Sequence, residues 1–75
     1  MSKENIIRVR NAIFEAGDGI TLDEIMQGIM MAQAKLVAHA VNGDELEAHK
    51  ILEQYRRYQS EAMPIYCAEE VSPVQ

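Results

Sequence analysis

Apolar residues near the start of the chain fall at Ile6, Val9, Ile13 and Ala16, with Ile7 and Phe14 flanking them. That three-and-four spacing marks one face of a helix, and Ser2 ahead of it can cap the free amides of the first turn, so a helix over Lys3 to Ala16 is predicted. Gly17, Asp18 and Gly19 end it, with Gly17 expected to supply the left-handed conformation of a C-terminal cap. The next pattern is the strongest in the chain. Thr21 and Glu24 have the spacing of a capping box, and Ile20 and Ile25 that of a hydrophobic staple. Leu22, Ile25, Met26, Ile29, Met30, Ala32, Leu36, Val37, Ala40 and Val41 then fill an arc of roughly 180°, against the ~100° stripe of an ordinary surface helix. A second helix from Leu22 to Val41 is predicted, stopped by Asn42 and Gly43, and its arc must be covered from two sides.

Asp44 and Glu47 repeat the capping-box spacing and open a third helix. On it Ala48, Ile51, Leu52, Tyr55, Tyr58, Ala62 and Met63 share a narrower face. Proline cannot donate a backbone hydrogen bond, so Pro64 is expected to end this helix near Ala62. A link of only two or three residues folds the second and third helices back on each other as an antiparallel pair. The predicted fold is all-α: a short N-terminal helix and a long helical hairpin in a single helical domain over residues 1–63. Residues 64–75 are expected to form a partly disordered tail, from which Ile65 and Tyr66 could latch onto a neighbouring subunit.

Length sharpens the picture. A chain of 75 residues has a single core that supplies only about 3–5 kcal/mol. Covering material for so wide an arc is scarce: a closed monomer, with one flank of the second helix on the first and the other on the third, would be only marginally stable, and a homo-oligomer or a protein partner is the expected source. The oligomer interface is expected to draw on Met30, Gln33 and Val37. Gln33 lands near the centre of the arc, where an amide costs stability unless hydrogen-bonded. Two such amides could pair across a dimer axis and fix its register; otherwise Gln33 sits at a gap and reaches water or a backbone group. Met26 and Met30 read as core. Met31 lies on the opposite side with Gln27, Gly28, Ala34 and Ala38, a strip short of charge that makes a candidate partner surface, or else is a tolerated exposed methionine.

The formal charge of −5 argues against a general duplex-DNA binder, whose affinity comes from neutralising phosphates. Basic residues concentrate at Arg8, Arg10, Arg56 and Arg57, and with Tyr55 and Tyr58 they carry the chemistry to hold an anion or stack on a base. On the helix, however, the tyrosines share the apolar arc while Arg56 and Arg57 fall on opposite shoulders, which favours packed tyrosines with solvated arginines. Glu45, His49 and Glu53 stand four residues apart, a row that reads as surface charge because one imidazole and two carboxylates rarely suffice for a metal. Cys67 has no partner for a disulfide and no neighbour to activate it.

No paired carboxylates, nucleophile-and-base pattern or glycine-rich loop is present, so neither an enzyme nor a cofactor is expected. Charges run through the first residues where a signal peptide would be apolar, and no run approaches the ~18 apolar residues of a membrane span, so cytoplasmic residence without membrane contact is expected. In size and charge the chain resembles the small acidic helical-hairpin proteins with which bacteria and their phages block or regulate a larger machine. The function expected is that of a small acidic protein-interaction module, an adaptor or inhibitor. The alternative is an oligomer that binds an anionic nucleotide or short nucleic acid through its Arg and Tyr residues.

Overall fold

The computed structural model describes residues 2–71. They form three helices, α1 (Lys3–Ala16), α2 (Leu22–Ala40) and α3 (Glu45–Val71), with no strand among the described residues. The fold is all-α. Its contacts divide into two compact units, Met1–Ala32 and Gln33–Gln75, so the boundary falls within α2.

In the first unit the Ser2 hydroxyl accepts the Asn5 amide at 3.2 Å and starts α1. The helix closes where the Gly17 amide donates to the Ile13 carbonyl at 3.1 Å. Gly17 itself stays right-handed, with φ −83°, and the left-handed residue is Gly19 at φ +80°. The expected cap conformation has thus moved two residues along. Gly17 is small for a packing reason instead: a Cβ there would lie 2.7 Å from Ile25 Cδ1. The capping box of α2 forms in both directions, the Glu24 amide donating to Thr21 Oγ1 and the Thr21 amide to Glu24 Oε1, each at 3.2 Å. Two of the orphan donors at the helix start are thereby satisfied.

In the second unit α2 ends in a Schellman motif. The Gly43 amide donates to the Ala38 carbonyl at 2.9 Å and the Asn42 amide to the His39 carbonyl at 3.2 Å. Asn42 takes the left-handed conformation at φ +55°, followed by Gly43 at φ +82°. Asparagine and glycine are the residues that tolerate this geometry. The Asp44 carboxylate then accepts the Glu47 amide at 3.2 Å and opens α3. Glu47 does not return the bond; it pairs with Lys50 at 3.5 Å.

The end of α3 differs from expectation. The helix runs through Pro64 to Val71, so residues 64–71 are helical rather than tail. Of the expected tail, Ser72 to Gln75 lie outside the described residues. A proline inside a helix forfeits one hydrogen bond, here to the Ser60 carbonyl, and crowds the preceding turn. Its own φ is nevertheless helical, and strong helix formers surround it, Glu61, Ala62 and Met63 before and Ala68, Glu69 and Glu70 after.

Among the described residues no side chain is buried. The least exposed positions of α2 are Ile25, Ile29, Gln33, Val37 and Val41 just past its end, spaced four apart as one ridge. On α3 they are Ala48, Ile51, Leu52 and Ala62.

Candidate functional site

The half-buried ridge of α2 is flanked by apolar side chains that nothing covers. Leu22, Met26 and Met30 lie beside its first half and Leu36 and Ala40 beside its second, all exposed. Met26 and Met30, read from the sequence as core, keep 45% and 60% of their surface in contact with water. The reason is the short supply of chain: a ridge four residues apart drifts around the helix by ~40° per step, so covering it leaves a flank open on each side. α3 repeats the pattern. Tyr55, Tyr58, Met63, Ile65 and Tyr66 are all exposed, and the last two follow Pro64 on helix that the proline alone argues against. Helix formers at Ala68, Glu69 and Glu70 were the available signal.

Gln33 is half-buried in the middle of the ridge, and among the described residues its amide makes no hydrogen bond to protein. The gap-and-backbone reading of Gln33 therefore finds no backbone partner. Met30 and Val37, named with it as interface, lie one turn to either side, Met30 exposed and Val37 half-buried.

The strip on the other side of α2 is open. Gln27, Met31, Ala34 and Ala38 are exposed, Met31 by 72%, and a Cβ added at Gly28 would meet nothing within 4 Å. Gln27 is held by its own helix, its amide donating to Asp23 Oδ2 at 2.8 Å.

The basic and aromatic candidates fall in different units. Arg8 and Arg10 belong to the first unit, where Arg10 donates twice to the Asn11 side chain at 3.2 and 3.3 Å. Tyr55, Arg56, Arg57 and Tyr58 belong to the second. The two tyrosine rings meet edge to face with centroids 5.5 Å apart, and the Gln54 amide donates to the Tyr58 hydroxyl at 3.0 Å. This geometry makes the rings a packing pair. Arg57 lines a shallow depression along α3 together with Leu46, His49, Lys50, Glu53 and Gln54. Glu53 and Arg57 stand four residues apart but form no ion pair among the described residues; on α3 Glu47 pairs with Lys50, and His49 Nε2 lies beside the Glu45 carboxylate, both at 3.5 Å and well exposed. No group of three His, Cys, Asp or Glu side chains comes together among the described residues, and Cys67 is a free, exposed thiol. No helix among them is long and apolar enough to cross a membrane.

Against known proteins, the chain matches no family model, no curated protein and no solved structure.

Proposed function

We propose that this chain is a small acidic protein-interaction module, an adaptor or inhibitor that acts by binding a larger protein and is itself assembled from more than one copy. One observation carries the reading: eighteen large apolar side chains are exposed among the described residues, and none is buried. Monomeric proteins rarely leave contiguous apolar surface open unless it is a binding site. The charge of −5 suits a basic partner surface and would speed encounter with it. The two sides of α2 have separate roles in this reading, the face around Gln33 for assembly and the strip of Gln27, Met31, Ala34 and Ala38 for the partner.

Two variants separate the roles. Met31→Glu should leave the chain assembled in sedimentation while removing the protein that the immobilised wild-type chain retains from cell extract. Val37→Glu should disperse the assembly. Retention undiminished by Met31→Glu, and equally by Ala38→Glu, would take the strip out of the account.

A further inference from the structure

We infer that two copies of this chain pack α2 against α2 in antiparallel orientation, with the two-fold axis passing at Gln33. This rests on the interaction-module reading above and names its first partner as a second copy. The sequence of α2 is nearly its own reverse about position 33. An antiparallel pair crossing there sets each residue against the one equally far on the other side of Gln33, so Met26 of one copy meets Ala40 of the other and Met30 meets Leu36. Ile29 likewise meets Val37. Around the face that carries Gln33, apolar residues thus fall opposite apolar residues; on the far side Gln27 falls opposite His39, and Met31 opposite Lys35.

Three physical arguments favour this arrangement over a parallel pair or an unrelated partner. The first is size. Met26 is large and flexible while Ala40 is small, so the antiparallel pair sets large against small there, whereas a parallel pair would stack Met26 on Met26 and leave a hole at Ala40. The second is the unpartnered, half-buried amide of Gln33. A primary amide both donates and accepts, so two of them facing across an axis close a reciprocal pair of hydrogen bonds, as in any self-complementary isologous contact. The third is the helix dipole: antiparallel neighbours bring the N-terminus of α2, with Asp23 and Glu24, toward the C-terminus of its mate, with His39. On α2 itself the apolar side chains of Leu22, Met26, Met30 and Leu36 are exposed beside the ridge and open to a second copy.

Disulfide trapping tests the orientation directly. In a Cys67→Ser chain, which removes the exposed native thiol, Met26→Cys and Ala40→Cys variants are mixed, oxidised with diamide and resolved by mass. The inference expects the mixed Met26→Cys with Ala40→Cys species at least tenfold above either self-linked species, and ready self-linking of Gln33→Cys. Gln33→Leu added to this background should raise the melting temperature while letting Met26→Cys link to itself, because the amide that fixes orientation is gone. Predominant self-linking of Met26→Cys with Gln33 intact would overturn the antiparallel arrangement. So would the absence of any mixed link in a chain that sediments as a dimer, and in both cases the interaction-module reading would survive. A chain that neither links nor sediments above monomer mass would remove both.

Discussion

Thr21 holds the start of α2 through its backbone amide and its hydroxyl, both bonded to the Glu24 carboxylate, while the same hydroxyl accepts the Glu24 amide. Thr21→Ala should therefore cost about 1 kcal/mol, the usual worth of an N-cap, seen as a lower melting temperature at fixed concentration. An unchanged melt would mean that α2 begins elsewhere. Gly43 carries a comparable sensitivity, because φ +82° is a conformation that a side chain opposes; Gly43→Ala should cost about 1–2 kcal/mol in the same assay. Both residues were legible in the sequence, since caps and left-handed turns are written in short-range chemistry. Gly17 departs from its expected cap conformation for the opposite reason. Its smallness answers to Ile25, eight residues away and on another helix, and nothing in the local GDG spacing distinguishes a packing glycine from a cap.

At the scale of elements, the starts of all three helices stand where the sequence places them, and the far end of α3 does not. Ser2, Thr21 and Asp44 each accept an amide three residues on, a contact that forms whatever the rest of the chain does. A proline only penalises a helix, and the residues around it decide whether the penalty stops it. Pro64 has helix formers on both sides, and α3 continues to Val71. Pro64→Ala should then restore the bond to the Ser60 carbonyl and stabilise the helix by up to ~3 kcal/mol. Hydrogen exchange at residues 65–71 reads this directly: protection should rise in the variant. Exchange at the rate of an unstructured peptide in both proteins would show that the helix ends at Pro64 after all. The candidate surfaces followed the same division. Gln33 and Met31 could be placed on opposite sides of α2 by periodicity alone, whereas Ile65 and Tyr66 joined the uncovered face of α3 only once the helix was known to pass Pro64.

For the whole molecule, the absence of any buried side chain among the described residues sets the energetics. Burial of apolar surface is the main favourable term in folding, and a domain without it has little to set against the entropy of ordering its chain. In the proposed assembly a second copy supplies the missing burial, which would couple folding to association and make stability depend on concentration. The melting temperature should accordingly rise as the chain is concentrated. Val37→Glu places a charge on the half-buried ridge beside Gln33 and should yield a dispersed or unfolded chain, read by dichroism and sedimentation on the same sample. Sedimentation equilibrium of the wild-type protein across the micromolar range tests the central claim most directly. The account predicts a mass of at least twice the 8.5 kDa of the chain, with dissociation on dilution accompanied by loss of helical signal. A folded species of single-chain mass at every concentration, with a melt that does not shift, would contradict it.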